Sequence, residues 1–251
     1  MKHSRFFLLL VAFLFVPAHA EEEEKSEPGF NEATFKGLEM RSIGPAFMSG
    51  RIADIVIDPS DPSTWYVGVG SGGVWKTENA STTWTPVFDD EGSYSIGCIT
   101  LDPNDPNTVW VGTGENVSGR HVAYGDGIDR SRDGGKSWEN KGLEDSEHSG
   151  MIRIDPRDSN TIFVAVQGPL WSGGGDRGLY KSTDGGENWR KHRGDGHGNP
   201  EEVDQYTGVN EIHMDPRNPD VMYAVTWQRL RSVAVVMDGG PGTGIHKSID
   251  G

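Results

Sequence analysis

Four times along this chain a short run of aliphatic residues stops at an Asp-Pro pair. The runs are Ile55-Val56-Ile57-Asp58-Pro59, Ile99-Thr100-Leu101-Asp102-Pro103, Ile152-Arg153-Ile154-Asp155-Pro156 and Ile212-His213-Met214-Asp215-Pro216. A polar turn follows each, containing Asp61, Asp105, Asp158 or Asn218. Eight residues after each leading Asp stands an aromatic: Tyr66, Trp110, Phe163 and Tyr223. Apolar residues at every second position predict β-strands, and Pro ends a strand because it has no N–H for the ladder. The leading Asp residues are 44, 53 and 60 positions apart, which marks an internal repeat.

A second pattern runs in step with the first. Ser131-Arg132-Asp133-Gly134-Gly135-Lys136-Ser137-Trp138 is matched by Ser182-Thr183-Asp184-Gly185-Gly186-Glu187-Asn188-Trp189. A degenerate copy is Thr77-Glu78-Asn79-Ala80-Ser81-Thr82-Thr83-Trp84, and Ser248-Ile249-Asp250-Gly251 opens a fourth. In such a turn a short carboxylate accepts backbone N–H bonds, and glycine takes the positive φ that other residues avoid. Each unit therefore reads as four strands. Strand A precedes Asp-Pro, strand B carries the aromatic, strand C leads into the acidic turn, and strand D begins at the Trp, which is expected to close the hairpin.

Four-stranded antiparallel units at this spacing predict an all-β fold, a β-propeller of which about three and a half blades are present. The chain stops inside a turn, so the expectation is a piece of a larger propeller. The innermost strands are expected near 52–58, 96–102, 151–155 and 210–215.

Composition adds a location and removes some partners. Residues 1–20 combine basic Lys2 and Arg5, an apolar run at 6–16 and Ala18-His19-Ala20. This is the layout of a secretory signal peptide cleaved after Ala20, so the mature chain is expected to be secreted or periplasmic. An uncleaved membrane anchor is the alternative. Residues 21–39 begin with four glutamates and read as an acidic, flexible lead-in to a propeller domain at 40–251. The formal charge of −15, or −17 without Lys2 and Arg5, repels phosphate backbones and argues against nucleic acid. No later stretch is apolar enough to span a membrane. Cys98 is the one cysteine, so no intrachain disulfide forms, and its neighbours Ile96 and Ile99 suit a small core residue better than a nucleophile.

The Ser-x-Asp-x-Gly-x-Ser/Thr-Trp pattern resembles the Asp box, or BNR repeat, with Asn79, Trp84, Asp133, Gly135, Trp138, Asp184, Gly186, Trp189 and Asp250 at its structural positions. Residues 40–251 are similar to exported bacterial proteins called sortilin (VPS10)-like or BNR glycosyl hydrolase-like. That resemblance implies a propeller and leaves function open, because the box is structural across these families. Animal sortilin domains carry several disulfides, and here Cys98 is alone. Xyloglucanase-type propellers place a catalytic Asp just before Gly-Gly in the first blade, whereas Gly70-Ser71-Gly72-Gly73 has no carboxylate. Neither a sialidase arginine triad nor its Tyr–Glu pair is assignable.

The strand order puts A–B and C–D turns at one end of the blades and B–C and D–A loops at the other. The long insertions, 115–127, 167–176, 227–242, 144–149 and 194–207, all fall at the second end, where binding groups are expected. Trp171 and Trp227 are the tryptophans outside the repeat, both placed in B–C loops, and suit stacking on a sugar or anchoring a peptide, or else covering their own loops. Glu115, Asn116, Arg120 and His121 form a dense polar loop. Arg120 suits a carboxylate fork and Glu115 or His121 acid–base work, or the loop bonds internally. Arg229 joins them on the insertion at 227–242. Arg51 faces the channel mouth or pairs with an acid of the adjoining blade. No cofactor is implied and no metal site either: Asp129-x-Ser131-x-Asp133 starts like a calcium loop, but Asn140 stands where its last acid belongs. Arg193-Gly194-Asp195 is taken as a chance triplet. The expected partner is a peptide, protein or glycan bound by a non-catalytic module. The alternative is a glycoside hydrolase whose acids come partly from other blades.

Overall fold

The computed structural model describes residues 50–192 and 204–251. The signal segment, the acidic lead-in and the Arg193-Gly194-Asp195 triplet lie outside the described residues. Among those described, four antiparallel sheets follow one another along the chain. Blade 1 is β1 (Ile52–Ile57), β2 (Trp65–Val69), β3 (Gly73–Thr77) and β4 (Thr85–Pro86). Blade 2 is β5 (Ile96–Asp102), β6 (Asp105–Thr113), β7 (Ile128–Ser131) and β8 (Glu139–Asn140). Blade 3 is β9 (Ser149–Asp155), β10 (Asp158–Val166), β11 (Gly178–Ser182) and β12 (Arg190–His192). Each is an up-and-down meander in the order expected, and the architecture is an all-β propeller. No helix among the described residues is long and apolar enough to cross a membrane.

Blade 4 departs from the pattern. Its strands are β13 (Thr207–Asp215), β14 (Asn218–Arg231), β15 (Val236–Asp238) and β16 (Gly244–Ser248). β13 and β16 flank β14 as strands A and C, and β15 pairs with the far end of β14 through Arg229↔Asp238, Leu230↔Met237 and Arg231↔Val236. The insertion at 227–242 is therefore largely a hairpin extension, not a loop. Trp227 and Arg229 lie on strand β14, which corrects the loop placement of both.

The core lies in the seams between blades. Ile99 of blade 2 is buried with Tyr66, Val74 and Phe88 of blade 1. Ile152 of blade 3 packs with Trp110 and Ile128 of blade 2, and Ile212 of blade 4 with Phe163 and Ala165 of blade 3. Cys98 is fully buried in one of these seams, and burial pushes its thiol up to about 12. Burying one such aliphatic side chain is worth about 1.5–3 kcal/mol, so each seam adds to the stability of both blades it joins.

The acidic turns have one geometry. Asp133 Oδ1 accepts from the N–H groups of Lys136 and Ser137 at 2.9 Å, and Oδ2 from the Ser137 hydroxyl at 2.6 Å. Ser131 Oγ accepts from Gly135 N–H at 2.8 Å. Asp184 and Ser182 repeat the arrangement. In the degenerate copy Asn79 Oδ1 accepts from Thr83 N–H at 2.8 Å. Gly134 and Gly135 take φ of 71° and 87°, and Ala80 and Ser81 hold the same left-handed conformation at 51° and 70°. In the incomplete fourth copy the Ser248 hydroxyl donates to Asp250 Oδ1 at 2.9 Å.

Each tryptophan precedes its strand D, so Trp138 lies just before β8 and Trp189 just before β12. Each ring packs on the glycine of its own turn, Gly135 or Gly186, as expected, and also closes the seam to the preceding blade. Trp138 Nε1 donates to the Val87 carbonyl of blade 1 at 2.6 Å, with its ring edge-on to Phe88. Trp189 Nε1 donates to the Lys141 carbonyl of blade 2, also at 2.6 Å. In both cases the acceptor stands three residues past the preceding blade's own tryptophan.

Two stability outcomes follow. Trp138→Ala is expected to cost about 3 kcal/mol in urea unfolding, the low end for a large aromatic, and Trp138→Phe about 1 kcal/mol for the lost seam hydrogen bond. Ala80→Gly is expected to stabilise by about 1 kcal/mol, because left-handed backbone is costly for alanine. An unchanged or lowered midpoint would contradict the strain assigned to that turn.

Candidate functional site

Strand direction brings the B–C and D–A loops to one face, and the side chains there form a buried polar network. Glu115 stands two residues past the end of β6. Its N–H donates to Ser95 Oγ at 3.0 Å, and its carboxylate takes both Nε and Nη2 of Arg51 in a two-point ion pair. Glu115 is almost wholly buried while Arg51 is half exposed. The hydrogen bond from Arg51 to Glu115 raises the guanidinium pKa further. Gly70 makes the pair possible, because a Cβ there would lie 2.6 Å from Glu115 Oε1. Of the alternatives open for Arg51, the inter-blade salt bridge is the one formed.

His148, from the D–A connection between blades 2 and 3, is fully buried. Its Nδ1 lies 2.9 Å from the Glu115 carbonyl, so the proton sits on Nδ1, and Nε2 has no partner among the described residues. Burial, with the charges of Arg229 and Arg177, pushes the imidazole down to about 3. Arg177 and Arg229 are both buried. Arg177 donates to the carbonyls of Gln167 at 2.7 Å, Ser172 at 2.8 Å and Pro169, and so shapes the 167–176 loop from within. Arg229 donates to the Gly168 carbonyl at 2.9 Å and stacks over Trp227. Among the described residues neither has a carboxylate within ion-pair distance. Burial lowers their pKa values to about 10 and about 9. Among the described residues, Arg229 Nε and Nη1 and Arg177 Nε are buried without partners.

Next to this pair a cavity of about 460 Å³ opens, lined by Tyr124, Glu144, Asp145, Glu147, Pro169, Ser172, Gly173 and Gly175. Tyr124 is exposed at its rim and lies edge-on to His148. Glu147 is held at a φ of 52°, a conformation unusual for a residue with a side chain. Burial raises its pKa against the opposing pull of Arg177 and Arg229. A larger cleft of about 750 Å³ lies between the acidic turns of blades 1 and 2. Some of its polar groups hold the turns themselves, as Asn79 and the Lys76–Glu78 pair do, whereas the smaller cavity adjoins the buried network and is the one taken as the candidate site.

The other sequence-chosen residues divide. Asn116 offers its carbonyl to Gln167 Nε2 at 3.2 Å. Arg120 donates to the Val233 carbonyl at 3.2 Å, and Arg231 answers with a 2.6 Å bond to the Ser118 carbonyl. The 115–127 loop is thus tied to the β14–β15 hairpin, with one Arg120 nitrogen on a main-chain carbonyl and the side chain still exposed. His121 is exposed against Gly119. Trp171 is exposed, whereas Trp227 is half-buried beneath Arg229. Arg229 is a buried member of the network, not an accessible anchor. Arg177, Glu147, Tyr124 and His148 are not among the site residues that the sequence singles out. Arg177 has no local signal except its position just before strand C, after a glycine-rich loop.

No family model matches the sequence, and no curated relative does. Among solved structures the fold resembles an ancestral GH74 enzyme (TM-score 0.54, 21% identity, 72% of this chain and 23% of that one). It also resembles the GH74 xyloglucanase from Xanthomonas campestris (TM-score 0.56, 19% identity, 80% of this chain and 29% of that one). YCF48 from Cyanidioschyzon merolae aligns less well, with a TM-score of 0.46, 17% identity and coverage of 80% of this chain and 57% of that one. At these identities the likeness shows the fold alone. The chain spans between a fifth and a third of the GH74 structures it matches.

Two buried groups with opposite pKa shifts set an expected pH dependence. His148 titrates near 6.5 when unfolded and at about 3 when folded, so its contribution is complete above pH ~6.5 and is lost as pH falls. Asp129 is raised to about 7 by burial and then by Asp126 and Glu91, so its ionisation weakens the fold as pH rises from ~4 to ~7. The two slopes oppose each other across that window. Relative to the parent protein, His148→Asn should gain stability on acidification and Asp129→Asn should lose it. Urea midpoints between pH 4.5 and 7 read the signs, and parallel profiles for all three proteins would refute the assignment.

Proposed function

We propose that this chain is an exported Asp-box propeller of the sortilin-like kind, secreted or periplasmic, which binds a peptide, protein or glycan through the face carrying the B–C and D–A loops. The observation that carries this reading is the locked pair of Glu115 and Arg51. A buried carboxylate engaged at both oxygens by a guanidinium is a poor proton carrier, and it fills the space against Gly70, in the first-blade stretch that has no carboxylate of its own. The cavity beside it has the features of a recognition site: an exposed aromatic in Tyr124, a second in Trp171 next in sequence to Ser172, and three carboxylates to accept hydrogen bonds or meet a cation.

One observation favours hydrolysis as a second reading. Glu147 is a strained, half-buried carboxylate with a raised pKa lining a cavity, which is how a general acid is often held. An Asp-box glycoside hydrolase would still need a second carboxylate facing it across the site.

A Tyr124→Ala/Trp171→Ala double variant separates the two. In calorimetric titration against peptide and glycan panels it should weaken binding by about 30-fold or more, as for a lost hot spot of about 2 kcal/mol, with the melting temperature nearly unchanged. Binding that survives the double variant would sink the proposed face. Glycan cleavage abolished by Glu147→Gln would replace binding with catalysis.

A further inference from the structure

The hairpin of blade 4 ends in a run of exposed aliphatic residues. β14 and β15 are joined by Ser232, Val233, Ala234 and Val235, and Val236 opens β15. Val233 is 87% exposed, the most of any large hydrophobic side chain among the described residues, and Val235 and Val236 are 58% and 48% exposed. Ala234 between them is exposed as well. A turn that only reverses the chain favours Gly, Asn, Asp or Ser. Four consecutive apolar side chains held in water mark a contact surface instead.

The backbone of this tip is already bonded. Ser232 N–H donates to the Val235 carbonyl at 2.8 Å, the N–H groups of Ala234 and Val235 donate to Ser232 Oγ at 3.3 and 2.9 Å, and Arg120 donates to the Val233 carbonyl at 3.2 Å. Main chain bonded in this way loses less on leaving water, which entry into an apolar medium requires. Charge points the same way. The segments 116–125 and 228–237 meet here, joined by the Arg120 bond and by the Arg231 bond to the Ser118 carbonyl. Neither contains an Asp or a Glu, in a sequence where those residues number 38 of 251, and together they carry Arg120, His121, Arg229 and Arg231. Arg120 and His121 are exposed, so the aliphatic tip stands on a basic, acid-free base.

We propose that this tip is a membrane-contact element: Val233, Ala234, Val235 and Val236 enter the interfacial region of a lipid bilayer while Arg120 meets its phosphates. The chemistry selects this occupant. The tip is a turn, not a groove, with no aromatic ring and no polar side chain beyond Ser232, whose hydroxyl is engaged. It offers a shaped protein pocket little to recognise, whereas fluid acyl chains need no matching shape. The acid-free base complements phosphate headgroups, and the negative charge of the rest of the chain is repelled by them, which turns the protein tip-first. Such contact is peripheral. A bilayer at the tip and a ligand in the cavity lined by Glu144, Asp145 and Glu147 use different residues, so each stands without the other.

The mature native protein, as its gene encodes it, provides the test, with vesicles of phosphatidylcholine and phosphatidylglycerol in equal parts as the probe. An environment-sensitive dye on Val233→Cys should shift to the blue and be quenched by brominated acyl chains when vesicles are added. A dye on Lys136→Cys, an exposed position on the acidic turn of blade 2, should do neither. Cys98 is buried, and the unsubstituted protein gives the labelling background. A Val233→Asp/Val235→Asp double variant should lower vesicle partitioning about 10-fold or more with the melting temperature unchanged, since both side chains are exposed. No blue shift at Val233→Cys, or vesicle binding that survives the double variant, would overturn the proposal. So would a Val233→Cys that resists the dye in the absence of lipid, which would show the tip already covered by protein.

Discussion

The structure depends on a hydrogen bond that no blade can make alone. The indole N–H at the end of the acidic turns of blades 2 and 3 finds its acceptor on the previous blade, and the acidic turn fixes the height at which the ring is presented. Strand D is only two or three residues long in every complete blade. So short a strand has little ladder of its own, and the tryptophan before it supplies the anchor. The aliphatic face of strand A then fills the space beneath, which is why the three buried clusters straddle seams and do not sit within sheets.

With that scaffold set, the opposite end of the blades is free to carry polar chemistry. The network there runs Arg51, Glu115, His148 and then the two buried arginines, and it crosses all four blades. Desolvation governs it throughout. It holds the imidazole neutral and leaves guanidinium nitrogens unpaired behind a cavity whose rim is acidic. Buried cations without a carboxylate partner cost several kcal/mol each, and the carbonyls gathered around Arg177 offset part of that by holding the 167–176 loop in shape.

Much of the fold was legible because its signals are local. Asp-Pro marked each strand A, and the acidic turns marked the C–D connections to within a residue. The tryptophans were legible as positions but not as contacts, since the Val87 carbonyl lies 51 residues from Trp138 and nothing in the motif names it. The β14 extension was misread because the alternation of its Gln-Arg-Leu-Arg stretch continues a strand that the repeat suggested should have ended. The site was less legible. Glu115 and Arg51 stood out, but their mutual engagement depends on Gly70, whose missing side chain is silent in sequence. Arg177, Glu147 and His148 acquire their character from neighbours on other blades, and burial of that kind has no signature in the residues on either side.

The paired arginine bonds between the 115–127 loop and the β14–β15 hairpin have a mechanical consequence. Blades 2 and 4 are not neighbours, yet Arg120 and Arg231 tie them together over blade 3. A solenoid-like array frays from its ends, one unit at a time. Here blade 4 cannot peel away until the strap across blade 3 has let go, while blade 1 is held to blade 2 separately, by the Arg51–Glu115 pair and the Trp138 bond to Val87.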